Sequence, residues 1–367
     1  MKGGAFDVAI VGGGVIGAAC ARTAALRGLE VGVFEPGPDP AAASPASAGM
    51  LAAQIEAADD GSLGLSVRAR DLYEQLAPAL LEATGIDIGF WRAGITALAF
   101  DDAAADRLKE DVARQRQAGL RCDWLSDAEV HERWPGAAPD CRGALFAPED
   151  GAVDPQGLAR ACLADARRLG AALVTEHVTA IRSEGKRATG VVTVAGSAPA
   201  AHVVIAAGAW SPAIGGLPHP LPVEPLRGQM AATPWPGGEP AILYHDHGYV
   251  LARDGRALLG STMEHAGFDS RVTNEGLGQI FRGAVRLLPA LLTQPVERMW
   301  AGLRPLSPDG RPIVGPDPDL ERLWYATGHG RHGVLLAALT GEIIAQLLTT
   351  GESDVDIAPF RIDRFNV

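Results

Sequence analysis

Three features of the sequence predict an α/β fold, α+β overall. A glycine-rich turn joins an apolar run to an Ala- and Leu-rich stretch near the N-terminus, residues 221–264 read as antiparallel strands, and the tail repeats the opening plan. Residues 6–11 form a short apolar run of the buried-strand type, 16–29 read as a helix packed on a sheet, and 30–35 as a second strand. The turn between them, Gly12-Gly13-Gly14-Val15-Ile16-Gly17, matches the G-x-G-x-x-G pattern of a Rossmann-like unit. Gly12 permits a tight turn, Gly14 lets a pyrophosphate approach the backbone, and Gly17 lets the helix pack closely on the strand. Val15 and Ile16 open the helix, whose N–H groups and positive dipole end suit phosphates. Glu35, at the end of the second strand, can accept hydrogen bonds from both hydroxyls of an adenosine ribose, which suits NAD or FAD and disfavours NADP.

The rest of the chain supplies the other elements. A loop dense in Pro, Ala, Ser and Gly runs from 36 to about 63, long enough to suggest a functional role. Helices are expected at 65–84, 103–117, 156–169 and 273–292, and strands at 90–100, 172–174, 190–194 and 203–210. Asp254-Gly255 reads as a hairpin turn. The tail gives a strand at 323–326, a glycine turn and a helix at 334–348.

Composition narrows the function. At 367 residues the chain suggests two domains, and 47% hydrophobic with 21% charged residues is ordinary for a globular core. A formal net charge of −12 argues against a nucleic-acid partner, which needs concentrated Lys and Arg. Cys20, Cys122, Cys141 and Cys162 are scattered without a C-x-x-C pair, which fits a reducing cytoplasm. The N-terminal apolar run is broken by glycines and followed by Arg22 and Arg27, as in a buried strand–turn–helix and unlike a targeting segment. No stretch has the uninterrupted apolar length expected of a membrane span. His245, Asp246 and His247 could suggest a metal, but strand alternation sets Asp246 on the opposite face and no further spaced ligands follow, so none is expected.

The opening motif with Glu35, residues 44–51 (Ser44 through Leu51), Trp300-Ala301-Gly302-Leu303-Arg304-Pro305 and Gly328-His329-Gly330-Arg331-His332-Gly333 together resemble the D-amino-acid oxidase superfamily of FAD-dependent oxidoreductases. Within it the nearest resemblance, running nearly end to end, is to the glycine oxidases of the thiamine-biosynthesis type. The resemblance implies FAD held without a covalent link, since no cysteine follows Cys162 to serve as a tether. It implies that Ser44, Ala48, Gly49 and Met50 run beside the isoalloxazine ring and that Val178 contacts the adenine side. Gly208 joins the cofactor contacts. His329, Gly330, Arg331, His332, Gly333 and Val334 are expected at the pyrimidine edge of the flavin, where a helix N-terminus stabilises anionic reduced flavin.

For the substrate, the resemblance makes Arg304 the carboxylate anchor, because a guanidinium grips a carboxylate with two parallel hydrogen bonds. Tyr249 would donate to the same carboxylate, although a bare strand tyrosine is more often core. Arg331 would lie near the substrate, and His247 and Met263 would line the pocket. The implied reaction converts glycine or another small amine or amino acid into an oxo acid and ammonia, with molecular oxygen reduced to hydrogen peroxide. The alternative is a D-amino-acid, sarcosine or proline oxidase or dehydrogenase. Two positions depart from the family pattern: Pro45, where a small polar residue is usual, and Gly330, where a bulky one is common. The expected division is discontinuous: an FAD-binding domain of 1–84, 142–220 and 300–367, and a substrate domain of 85–141 and 221–299 built on an antiparallel sheet. The family further implies a homo-oligomer, usually a tetramer.

Overall fold

Two eight-stranded sheets organise the chain, in a computed structural model that describes residues 5–37, 39–56, 61–246 and 248–365. The first has the parallel core that the opening motif predicts. Phe6–Val11 lies between Val31–Phe34 and Gly196–Ile205, with Ile10 opposite Val33 and Val204. Ala172–Val174 and Leu323–Thr327 extend it in parallel, and Ile313–Pro316 closes one edge antiparallel. Parallel strands are buried on both faces, which explains why Val8, Ile10, Val204 and Ile205 are all fully buried. The helices Val15–Leu26 and Gly333–Thr350 pack together over one face. By length and composition the segment Gly330–Thr350 could cross a membrane, but Arg331 and Glu342 interrupt its apolar run and 61% of its most apolar window is buried inside the protein. It serves as a core helix here.

The second sheet runs Arg298–Leu306, Glu224–Pro234, Arg256–Gly260, Gly248–Arg253, Ile242–His245, Ile95–Ala99, Gly143–Ala147 and Asp123–Leu125 in spatial order. All its pairings are antiparallel except Ile242–His245 with Ile95–Ala99. Its strands at 143–147 and 298–306 reach past the divisions expected at 142 and 300. The helix Asn274–Leu287 covers one face through Ile280, Ala284 and Leu287. It is shorter than 273–292 because Thr273 caps its start, accepting from the Gly276 N–H at 3.2 Å, and Pro289 cannot continue it.

Other elements shift for local reasons. The helix expected at 65–84 is two helices, Leu63–Asp71 and Tyr73–Thr84, which meet at Leu72. The strand expected to run to Trp210 stops at Ile205, and a 3-10 turn starts at Gly208, whose φ is +56°. A meander of Val178–Glu184 and Arg187–Thr193 joins the first sheet through Gly196–Ile205 and was signalled in sequence only around Gly190. The loop at 36–63 holds a short helix, Ala43–Ala46, and the strand Met50–Leu51, paired with Gly151–Ala152.

One polar network is fully buried. Asp150 accepts from Arg70 Nη1 at 3.0 Å, from the Gln54 N–H at 2.9 Å and from the Ile55 N–H at 3.1 Å. The Gln54 amide in turn bonds Arg70, Gln115 and the Arg121 carbonyl. Arg70 also pairs with the more exposed Asp71 at 2.9 Å, so removing Asp150 leaves Arg70 one acid but takes the acceptor from the Gln54 and Ile55 N–H groups, and breaking a buried pair costs about 3–5 kcal/mol. Asp150→Ala should therefore lower the unfolding free energy of the holoprotein by that order in urea titration; a change under about 1 kcal/mol would show that Arg70 finds other partners.

Candidate active site and cofactor cleft

Between the two sheets runs a single cavity of about 1060 Å³. That exceeds the usual range of roughly 300–1,000 Å³ for small-molecule sites, so a glycine-sized substrate would fill only a corner. Its nucleotide end is built by the opening motif. Gly12, Gly14, Val15, Ile16 and Glu35 all line it, while Gly17 does not. Gly17 acts from beneath: a Cβ there would come within 1.9 Å of the Gly12 carbonyl oxygen, so the turn closes on the helix only with glycine at this position. Glu35 is already oriented, with Oε2 accepting from the Gly13 N–H at 2.7 Å and Oε1 from the Gly37 N–H at 3.3 Å. A carboxylate oxygen can accept again, so both face the cavity with capacity to spare. The helix start differs from the motif reading in one respect. The Val15 N–H donates to Ser44 Oγ at 3.0 Å, so the hydroxyl replaces one of the expected free N–H groups on the wall.

The middle of the cavity is walled by residues 44–50, among them Ser44, Ala48, Gly49 and Met50. This stretch is clamped to the second sheet. The Leu303 N–H donates to the Ala41 carbonyl at 2.8 Å, and Trp300 Nε1 donates to the Ala46 carbonyl at 3.0 Å. Arg253 Nη2 reaches the carbonyls of Ala48 at 2.5 Å and Val153 at 2.6 Å. Pro45, the departure from the family pattern, keeps its carbonyl in use as acceptor for Gln156 Nε2 at 3.0 Å. Val178 and Gly208 line the opposite side.

The closing turn brings a second helix N-terminus to the cavity. Gly330, Arg331, Gly333 and Val334 line it, and Gly333 and Val334 are the first residues of Gly333–Thr350. Gly330 has φ +54°, a conformation that disfavours the bulky residue common at this place. His329 also lines the cavity; its Nε2 bonds Thr340 Oγ1 at 3.0 Å, and burial pulls its pKa down to about 3, so the ring is neutral. His332 does not line the cavity and turns instead toward Glu56, 3.7 Å away.

At the remaining end sit the expected substrate residues. Arg304, on Arg298–Leu306, fits because its guanidinium lies over Gly228, where a Cβ would come within 1.9 Å of Nη1. Its hydrogen bonds go to neutral acceptors, the Thr262 carbonyl at 3.1 Å and Ser261 Oγ at 2.7 Å. Among the described residues no carboxylate lies within ion-pair distance of it. Burial pulls its pKa down from the ordinary arginine value, opposed by Tyr249 and Glu56. A buried charge is normally paired, so an unpaired guanidinium on a cavity wall marks an anion site. Tyr249 stands beside it, 8% exposed, its hydroxyl donating to Met230 Sδ at 3.2 Å. A thioether is a weak acceptor, which leaves that hydroxyl available to a stronger one. Burial pushes its pKa up to about 12, so it remains a donor at neutral pH. Arg331 and Met263 line the rim, Met263 being 56% exposed. His247 lies outside the described residues.

Sequence reasoning did not single out Glu56, Tyr244, Trp210, Gly228 or Ser261, all of which line the same cavity. None of them carried a local signal; each depends on which strand or loop faces which.

A dinucleotide needs a carboxylate at a strand end, a glycine turn and helix N-termini facing one long cavity, and these residues meet that requirement. The site therefore defines a dinucleotide-dependent protein, with a nucleotide arm at one end and a chamber bearing the Arg304 guanidinium at the other. The chain belongs to the FAD dependent oxidoreductase family, whose model matches residues 7–347. It is 37% identical to a glycine oxidase from Geobacillus kaustophilus, over 98% of this chain and 97% of that protein. It is 35% identical to the bifunctional protein ThiO/ThiG from Nostoc sp., matching over 98% of this chain but spanning only 55% of that longer protein. The crystal structure of glycine oxidase from Geobacillus kaustophilus superposes with a TM-score of 0.91 at 36% identity, covering 98% of each chain.

Glu35→Ala should weaken retention of the nucleotide while leaving the fold in place. The check is flavin content per protein after gel filtration, with circular dichroism on the same sample; a variant as yellow as the parent would remove Glu35 from the nucleotide site.

Proposed function

We propose that this chain oxidises the amine of a small amino acid, with glycine as first substrate, in the reaction glycine + O2 + H2O → glyoxylate + NH3 + H2O2. The observation that carries this reading is the unpaired guanidinium of Arg304 beside the Tyr249 hydroxyl, in the chamber at the end of a dinucleotide cleft. Similarity to glycine oxidase across the whole chain supports the choice of substrate.

Bound FAD supplies a two-electron sink that oxygen can empty. The chain's own residues supply position. Arg304 grips the substrate carboxylate through the two Nη groups, and Tyr249 adds a third donor, so the α-carbon is held in one orientation. The N-terminus of Gly333–Thr350 directs its positive end at the charge that builds on the cofactor side. His329, neutral and bonded to Thr340, takes no proton from the substrate. Loss of two electrons and two protons turns the amine into an imine, which water hydrolyses to the oxo acid and ammonia.

Further parts of the proposal follow from the same residues. FAD is held non-covalently, as all four cysteines are buried and none lines the cavity. The nucleotide unit is 1–84, 142–220 and 300–367 and the substrate unit 85–141 and 221–299, a division that follows the two sheets except at Gly143–Ala147 and Arg298–Leu306, which lie in the second sheet. The imine, taken before its hydrolysis, serves thiamine (thiazole) biosynthesis in the cytoplasm, a reading that the similarity to ThiO/ThiG supports, and the enzyme is a homo-oligomer.

The test is anaerobic bleaching of the flavin band by glycine, sarcosine, D-alanine and D-proline, followed by air and a peroxide assay. Fast bleaching by glycine with peroxide on re-oxidation is the expected result; bleaching by a larger amine alone would move the enzyme to another substrate. Arg304→Ala should keep the flavin spectrum and lower kcat/KM for glycine by roughly 30-fold or more, the loss of a buried charged hydrogen-bond pair. Unchanged kinetics would exclude Arg304 as anchor.

A further inference from the structure

Among the described residues two guanidinium groups line the substrate end of the cavity, and they differ in company. Arg304 has neutral partners alone, whereas Arg331 Nε lies 3.5 Å from Glu56 Oε2, with His332 Nε2 3.7 Å from the same oxygen. Glu56 itself lines the cavity with its side chain 11% exposed, and its charge acts on both Arg304 and Tyr249. Its place is set by the buried network described above. The N–H groups of Gln54 and Ile55, immediately before it, are held by the fully buried Asp150, so the carboxylate enters the chamber from an anchored backbone. Tyr244, half-buried beside it, has its pKa pushed up by burial and by Glu56 and stays a neutral phenol.

From this arrangement we propose that Glu56 is a specificity-determining residue: by pairing with Arg331 it leaves the chamber one available cation among the described residues and so restricts the site to amino acids bearing a single anionic group. The proposal rests on Arg304 as the carboxylate anchor. A substrate with one carboxylate on Arg304 meets no repulsion. A substrate with two must bring its second anion to Arg331, where Glu56 already sits, and like charges placed together are strongly disfavoured. Without the Glu56 charge, Arg331 becomes a second anion site facing the first.

The test is calorimetric titration of the flavin-loaded protein with acetate, carrying one carboxylate, and malonate, carrying two, so that anion binding is read without turnover. In Glu56→Gln the ratio of malonate to acetate affinity should rise by about tenfold or more over the parent, and Glu56→Gln combined with Arg331→Gln should cancel the gain. Arg331→Gln alone gives a second reading should Glu56→Gln fail to fold: with the Glu56 charge unopposed near Arg304, acetate should bind more weakly, by about threefold or more. An unchanged malonate-to-acetate ratio in a folded Glu56→Gln protein, a gain that survives in the double variant, or unaltered acetate binding in Arg331→Gln would overturn the proposal while leaving Arg304 as anchor. Failure of the parent to bind acetate at all would overturn the anchor and the specificity proposal together.

Discussion

The clamp on the chain between Ala41 and Met50 is the contact on which the rest of the site depends. From one side Ser44 takes the N–H of Val15, tying the stretch to the nucleotide helix. From the other, Leu303 and Trp300 bind the Ala41 and Ala46 carbonyls, tying it to the antiparallel sheet. A wall fixed to both sheets sets the width of the cavity between them. Such main-chain bonds are individually worth about 1 kcal/mol, yet each carbonyl left without a partner in the interior would cost more. That asymmetry makes the clamp hard to loosen at one point alone.

Electrostatics divide the cavity along its length. Glu35 gives the nucleotide end a fixed negative group, two helix N-termini give the middle a positive bias, and Arg304 gives the far end a full unpaired charge. Under the proposed function a long anionic dinucleotide and a small carboxylate would be received at different places by different means. The phosphates would meet dipoles and backbone, whereas the small acid would meet a guanidinium fork. Glu56 adds a local correction at the rim, and its position is inherited from a buried ion pair that touches no ligand.

How much of this was legible in the sequence depended on the range over which each signal acts. The G-x-G-x-x-G turn, Glu35 and the parallel core were readable because strand, turn and helix are consecutive and each residue type has a local cause. Arg304 and Tyr249 were named by likeness to a family, since no local pattern says that a strand arginine will lack an acid. The contact of Val15 with Ser44 was not readable, being 29 residues apart with a helix, a strand and part of a loop between. Gly330 stood in the sequence as an oddity, and its positive φ supplies the reason. Glu56 escaped because its role is set by Asp150, 95 or so residues further on, through the backbone of its neighbours.

Arg253 reaches across the cavity wall to the carbonyls of Ala48 and Val153, and both are main-chain atoms. Any residue at 48 or 153, proline included, offers the same carbonyl, so the position of the wall is insulated from the identity of the side chains it displays. The lining can drift while the wall stands still. A scaffold of that kind separates the problem of holding a cofactor from the problem of choosing an amine, and lets the second be solved many times over without disturbing the first.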